Sequence, residues 1–181
     1  MSLKDAKVLI LNAGYNQPPM AKGKLNESLA NDMEKYLQGK GHETKITHME
    51  QGYKVEEEIA KFIWADVIIV QTPTWWLGLP GPAKTYMDSV LSAYLMNPEK
   101  KEGKKVMVCA TFAATEETMV DPKSAYQGLG ADQVWWTLYQ NFFFCGFGKL
   151  PIIAINNVLN PNFKYDEAVS KLHAHLDQVL A

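Results

Sequence analysis

The stretch QTPTWWLGLPGPAKTYMD, residues 71–88, sets Trp75 and Trp76 side by side among two glycines and three prolines, directly after an apolar run. Neighbouring side chains on an extended segment point opposite ways, so one tryptophan can cap the core while the other faces a crevice. An aromatic wall beside open backbone at Gly78 suits a flat heteroaromatic ligand, held by stacking and by N–H donors together. A second candidate is NAGYNQPPMAKGKLNESL at 12–29, which carries Gly14, Gly23, Lys22 and Lys24 just ahead of a helical pattern. Free amides at a helix start favour an anion, and the lysines add charge. The loop is neither GxGxxG nor GxxxxGK[ST], so a dinucleotide fingerprint and a P-loop are both absent. A third is TFAATEETMVDPKSAYQGLG at 111–130, where Ala113, Ala114 and Thr115 leave room beside a strand end and Tyr126 and Gln127 follow. Asp132, just beyond it, is expected to cap a helix.

What these loops lack is equally informative. They contain no nucleophile-elbow serine and no paired carboxylates. The four histidines, His42, His48, His173 and His175, fall on an edge strand and on the last helix, where solvated positions are expected. The two cysteines, Cys109 and Cys145, sit in apolar runs with no metal-ligand spacing and read as buried free thiols of a reducing compartment. Chemistry at such a site falls to a bound cofactor.

The elements that must position these loops are legible. KVLIL at 7–11, DVIIV at 66–70, KVMVCAT at 105–111 and LPIIAI at 150–155 are nearly continuous apolar runs, as strands covered on both faces are. HETKITHM at 42–49 alternates weakly and suits an edge. Helical stripes lie between them: Leu25 to Leu37 closed by Gly39 and Gly41, Val55 to Ile63, Ala83 to Leu91, Val134 to Cys145, and Val169 to Val179. Five strands alternating with five helices predict one α/β domain over 1–181, a doubly wound parallel sheet with helices on both faces. Its ligand belongs at the carboxyl ends of the strands, where the three loops lie. A net charge of −2 gives no field for nucleic acid or anionic lipid, and no apolar run is long enough to span a membrane. Lys100, Lys101, Lys104 and Lys105, interrupted by Glu99 and Glu102, are expected in a solvated loop. Cytoplasmic residence is the expectation.

The pattern P-x-W-W-x-G-x-P-x-x-x-K-x-Y-x-D, with KVLILNAG…GKLNESL before it and KKVMVCATFAATEETM and AYQGLGADQVWWTLYQNFFFCGFGKLP after it, resembles the flavodoxin-like NAD(P)H:quinone oxidoreductases over essentially the whole chain. The likeness is to the modulator of drug activity B subgroup, with DT-diaphorase a more distant relative. It implies a flavoprotein, usually dimeric and FAD-bound (FMN being the alternative), that takes hydride from NAD(P)H and passes two electrons to a quinone or similar small acceptor. By position, the loop of Lys22, Gly23, Lys24 and Leu25 would hold the flavin diphosphate. Pro73, Thr74, Trp75 and Trp76, with Gly78, would border the isoalloxazine. Thr111, Phe112, Ala113 and Ala114 would line its other side, and Tyr126 would approach the acceptor.

Three departures stand out. Met20, Ala21 and Lys22 replace a His-Ser-Asn that donates to phosphate in the subgroup, and the connection LSAYLMNPEKKEGKK is shorter than the subgroup's. Gln127 stands where relatives carry histidine. Rival readings are an FMN-binding azo- or nitroreductase, a flavodoxin-type electron carrier, and a flavin-free binding protein on the same fold. The aromatic run 134–147 has Tyr139 and Phe143 on a second helical face, where a partner subunit could pack.

Overall fold

The structure, a computed structural model, describes residues 3–181. In chain order the elements are β1 (Lys7–Asn12), β2 (Asn16–Gln17), β3 (Ala21–Lys22), α1 (Lys24–Gly39), β4 (Glu43–His48), a 3₁₀ turn (Met49–Gln51), α2 (Val55–Trp64), β5 (Val67–Pro73), and α3 (Gly81–Tyr86), which runs through a π-helical segment (Met87–Leu91) into α4 (Ser92–Leu95). Then come β6 (Lys105–Thr111), α5 (Glu116–Val120), α6 (Ala131–Val134), α7 (Trp136–Phe144), β7 (Gly148–Lys149), β8 (Ile153–Ile155) and α8 (Tyr165–Val179). A parallel sheet runs β4-β1-β5-β6, and β7 and β8 lie one after the other along the outer side of β6. The chain winds from β1 outward to β4, then crosses back to β5 and on to β6. The order therefore reverses between β1 and β5, which opens a crevice at their carboxyl ends.

Alternation along the strands sorts two cores. Leu9, Leu11, Ile68, Val70, Val106 and Val108 face α2, α3 and α7, with Phe62, Tyr86 and Phe142 filling the space. Val8, Ile10, Ile69, Met107 and Cys109 face α1 and α8, against Leu29, Met33, Leu172 and Leu176. Because both faces are covered, the central strands carry no polar alternation, which is why they stand out in the sequence. Edge strand β4 buries fully only Thr47, fitting its mixed pattern.

The fifth strand position is broken, and one hydroxyl bridges the break. Val106 pairs with Lys149 and Cys109 with Ile153, so the outer strand spends one residue more than β6 over the same length. This is a bulge at Leu150–Pro151, where proline has no N–H to give the ladder. The buried Tyr139 hydroxyl fills the gap, accepting from the Val108 N–H at 3.1 Å and donating to the Leu150 carbonyl at 3.1 Å. Burial is the main reason its phenol stays protonated far above the usual range. Tyr139 thus serves the sheet, not a partner-facing surface as expected.

Other expectations shift in similar ways. The helical stripe from Val134 to Cys145 is two helices, parted at Trp135, which is buried. Gly130, not Asp132, occupies the N-cap position, and Asp132 instead pairs with Lys149. Lys104 leaves the solvated cluster: it is 5% exposed, donates to the carbonyls of Ile63 and Ala65 at the end of α2, and burial lowers its pKa. The histidines are half-buried instead of solvated. His173 stacks on Tyr36 at 3.7 Å, and His175 lies 3.0 Å from the Pro151 carbonyl. At the end of α1, Gly41 takes φ 96°, a left-handed stop that a side chain would strain.

Candidate functional site

The first loop is not an open coil. Asn16 pairs with Lys22 and Gln17 with Ala21 in a small antiparallel hairpin, β2–β3, that folds back over the start of α1. Gly23 is the hinge, at φ 70°, and a Cβ there would press on the Tyr15 backbone at 3.3 Å. Its carbonyl accepts the Glu27 N–H, so the amides of Lys24, Leu25 and Asn26 precede the first intrahelical bond and have no partner within the helix. Lys22 and Lys24 are exposed beside them, and Leu25 turns partly toward the core. Unpaired amides beside ammonium groups suit an anion, although the carboxylates of Glu27 and Glu50 line the same small cleft as Lys22 and Gly23.

The second loop is a tight hairpin turn. Trp75 and Gly78 exchange N–H···O bonds of 3.0 and 2.9 Å, with Trp76 at φ 48° and Leu77 at φ 61°. Positive φ at both central positions is the I′ geometry that glycine and asparagine usually supply, and each bulky residue there costs about 1–2 kcal/mol. The result is that Trp76 stands 99% exposed, while Trp75 is half-buried with its ring edge-on to Tyr15 at 6.1 Å. Neither tryptophan enters either core, contrary to the expectation for one of them. Amides in this loop are not all available: those of Thr74, Trp75 and Gly78 are used, by Thr111 and within the turn. Those of Trp76 and Leu77 donate to no other described residue.

The third loop is stapled to the second by the bond from Thr74 N–H to the Thr111 carbonyl, 3.0 Å. Thr111 is buried, and its hydroxyl lies 3.4 Å from Asn26 Oδ1. Phe112 departs from its expected place: its ring is 1% exposed and belongs to the core, leaving only backbone for a ligand. Ala113 and Ala114 lie at the rim with amides that donate to no other described residue, and the Ala114 carbonyl is held by Asn157 N–H at 3.0 Å. Tyr126 is half-buried against the core, at the start of a turn with Gln127 at φ 53°, and its hydroxyl makes no hydrogen bond among the described residues.

Several participants escaped the sequence reading. Asn26 is 6% exposed and accepts from Gln71 Nε2 at 2.8 Å, tying α1 to β5 and, through Thr111, to β6. Five buried polar atoms lack a hydrogen-bond partner among the described residues; Trp135 Nε1 and His173 Nε2 lie elsewhere, while Gln71 Oε1, Thr74 Oγ1 and Asn156 Oδ1 belong to the strand ends and loops of the crevice, where a ligand can supply the missing bonds. Past Thr111 the paired residue Ile155 opens onto a cleft of about 440 Å³ between the start of α5 and the start of α8, lined among others by Thr115, Asn156, Phe163 and Lys171. The signal available was the polar residue closing each apolar run, Asn12 after VLIL and Gln71 after VIIV. Among the described residues no cluster of His, Cys, Asp and Glu could hold a metal ion.

These residues fit a flavin: a donor cradle for phosphate, free amides on two stapled loops, exposed aromatic surface, and orphaned acceptors between them. Comparison with known proteins points the same way. A family model described as a flavodoxin-like fold matches residues 6–179. NADPH:quinone oxidoreductase MdaB of Haemophilus influenzae is 30% identical, over 87% of this chain and 91% of its own. The structure of NAD(P)H:quinone oxidoreductase from Methanothermobacter marburgensis superposes with a TM-score of 0.69 at 15% identity, covering 98% of this chain and 100% of that one. General stress protein 14 of Treponema denticola in complex with FMN gives a TM-score of 0.69 at 13% identity, over 97% and 95% of the two chains. The chain belongs to the flavodoxin-like family and is a homologue of NADPH:quinone oxidoreductase MdaB.

Proposed function

We propose that this protein is a flavin-dependent NAD(P)H oxidoreductase that delivers two electrons to a quinone or a similar small acceptor. The observation that carries the reading is the pair of stapled loops, which together bear unused amides at Trp76, Leu77, Ala113 and Ala114 and the exposed indole of Trp76. The homologue's activity agrees with it. Bound there, a flavin supplies the hydride chemistry that no side chain in the crevice can perform. The chain's own residues bind and orient. Lys22, Lys24 and the first-turn amides of α1 neutralise phosphate, while Asn26, its Oδ1 held by Gln71 and Thr111, keeps its NH₂ uncommitted to either. Pro73, Thr74, Trp75 and Trp76 form one wall, with Gly78 closing the turn. Thr111 to Ala114 form the other. Amides aimed at the ring's polar edge stabilise negative charge there, and Tyr126 offers its free hydroxyl to an acceptor oxygen.

FAD is the favoured flavin. The 440 Å³ cleft is one strand away from the phosphate cradle, because Asn26 contacts Thr111 and Thr111 pairs with Ile155. An adenosine has room there, and FMN would leave the cleft unused. A homodimer is proposed on the exposed apolar side chains Trp136, Phe143 and Phe144 of α7, which share one face. Cytoplasmic residence rests on the two buried free thiols. No described helix is long and apolar enough to cross a membrane.

The test begins with the visible spectrum of the purified protein. Flavin absorbance, chromatography of the released cofactor and anaerobic titration with NADPH and NADH should show bound FAD that bleaches on reduction and recovers on adding a quinone. A colourless protein that takes up neither FAD nor FMN would instead favour the flavin-free reading that Met20 and Ala21 invite. Tyr126→Phe should slow quinone reduction about tenfold without lowering flavin content. Loss of flavin in that variant would remove Tyr126 from the acceptor side.

A further inference from the structure

We propose that His48, the last residue of β4, and Glu50, in the turn just beyond it, are positioning residues for the flavin phosphate: they pin the first loop in the shape that presents Lys22 and the first turn of α1. The proposal rests on the flavin reading above. Its starting point is the size of the β2–β3 hairpin, two residues in each strand. An isolated ribbon that short does not hold its own conformation in water, so its geometry must come from outside contacts.

Two such contacts come from the end of β4 and the turn beyond it. The Glu50 carboxylate accepts the Asn16 N–H with both oxygens, at 3.0 and 3.2 Å, and Asn16 is the residue paired with Lys22 across the hairpin. Fixing Asn16 therefore fixes the strand that delivers Lys22 and Gly23 to the helix. The second contact runs through Asn12, which is 4% exposed. Its Oδ1 accepts the Gly14 N–H at 2.8 Å, which leaves its NH₂ facing His48 Nδ1 at 3.0 Å. With the amide NH₂ turned to it, Nδ1 is the acceptor of this contact. Gly14 is packed so closely that a Cβ would meet Asn12 Oδ1 at 3.0 Å and the Gly23 carbonyl at 3.2 Å, so the loop folds back on α1 with little room to move.

The charge of Glu50 makes this placement informative. Glu50, His48, Lys22 and Gly23 all line one cleft, and a carboxylate beside an anion cradle opposes phosphate by simple Coulomb repulsion. Its contribution to binding is therefore geometric if it is favourable at all. Alanine and glutamine separate the two effects. Glutamine keeps an oxygen for the Asn16 N–H and drops the charge, while alanine drops both.

The experiment is a titration of the apo-protein with FAD and with FMN, followed by quenching of flavin fluorescence, with thermal midpoints of the apo variants as a check on folding. Glu50→Ala should raise the flavin Kd about fivefold, and Glu50→Gln should stay within about twofold of the parent or bind more tightly. His48→Leu should weaken binding about threefold, with His48→Gln, which keeps an acceptor for Asn12, restoring it. If alanine and glutamine at 50 both tighten binding, or both leave it unchanged, Glu50 is only a nearby charge and the proposal is wrong. Parent protein that binds neither flavin would remove the flavin reading and the anchors together. Parent binding with indifferent variants would remove the anchors alone.

Discussion

Two polar clusters lie within this fold, and they differ in one respect that separates stability from function. The first surrounds Glu58, which is 2% exposed on α2. Its carboxylate takes Lys61 Nζ at 2.6 Å, Thr47 Oγ1 at 2.9 Å and the Tyr86 hydroxyl at 2.6 Å, and Lys61 also reaches Thr47 at 2.8 Å. The second surrounds Asn26, Gln71 and Thr111 at the crevice, where Gln71 Oε1 and nearby Thr74 Oγ1 find no partner. Both carboxylate oxygens of Glu58 accept hydrogen bonds, and the crevice cluster is left open. A closed network rigidifies, whereas an open one has capacity left for a ligand.

The largest effect expected from this contrast is on stability. Glu58→Ala strands a buried phenol and threonine hydroxyl and a half-buried ammonium that water can still reach, and should cost about 2–4 kcal/mol of unfolding free energy. Urea denaturation of the apo-protein measures it. Flavin affinity in the same variant should change less than about twofold, because Thr47, Lys61 and Tyr86 hydrogen-bond no residue of the crevice loops, and Thr47 meets the loop anchors only through the backbone it shares with His48. A large loss of flavin affinity would break the separation. Tyr86 shares the prediction: burial first, and then its bond to Glu58, hold its phenol far above the ordinary range, so it remains a donor at any working pH.

Gln71→Leu should show the opposite signature. It removes an acceptor that has no partner and a donor that has one, so apo stability should move by less than about 1 kcal/mol in either direction. Asn26 loses the contact that fixes its amide, and flavin Kd should rise about fivefold. Calorimetry sharpens this. Flavin at about 100 times Kd stabilises its protein by about 2.7 kcal/mol, and at that same concentration the increment should survive in Glu58→Ala and shrink by about 1 kcal/mol in Gln71→Leu. Equal shrinkage in both variants would merge the two clusters into one.

The contrast also explains what the sequence disclosed. The parallel strands were legible because burial on both faces writes an unbroken apolar run, and the crevice loops because glycine, proline and tryptophan crowd where a turn needs little. Glu58 was invisible: in VEEEIAKF it looks like one more solvated acid in the first turn of a helix, and its partner Tyr86 is 28 residues away. Asn26 likewise reads as an ordinary polar residue at a helix start, since the contacts that bury it come from β5 and β6. Pro151 was a local sign of the break in the outer strand, but the hydroxyl that bridges it comes from Tyr139 on α7, which no local pattern could place. The hairpin of the first loop was missed for the same reason, because Glu50 and His48 anchor it from the far side of β1. Local periodicity reports what each element buries, and long-range polar pairing leaves almost no local trace.

The smallest effect concerns a group in neither cluster. Cys109 lies on β6, two residues before Thr111, and is fully buried among the side chains packed under α1 and α8. Burial pushes its thiol up to about 12 from an ordinary value of 9.0. At pH 8 about one molecule in ten thousand carries the thiolate, so Ellman's reagent should label Cys109 only as fast as the protein opens. The linked stability change has a definite sign. Below pH 9 both folded and unfolded states hold the proton and the thiol contributes nothing; as pH rises from 9 toward 12 only the unfolded state releases it, and stability falls. Gln71→Leu should follow the parent along this alkaline limb, because the crevice contributes no term to it. A limb that steepens or vanishes when Gln71 is replaced would mean that the crevice and the strand beneath it titrate as one unit, and the division between closed interior and open site would then have to be drawn one layer deeper, below β6.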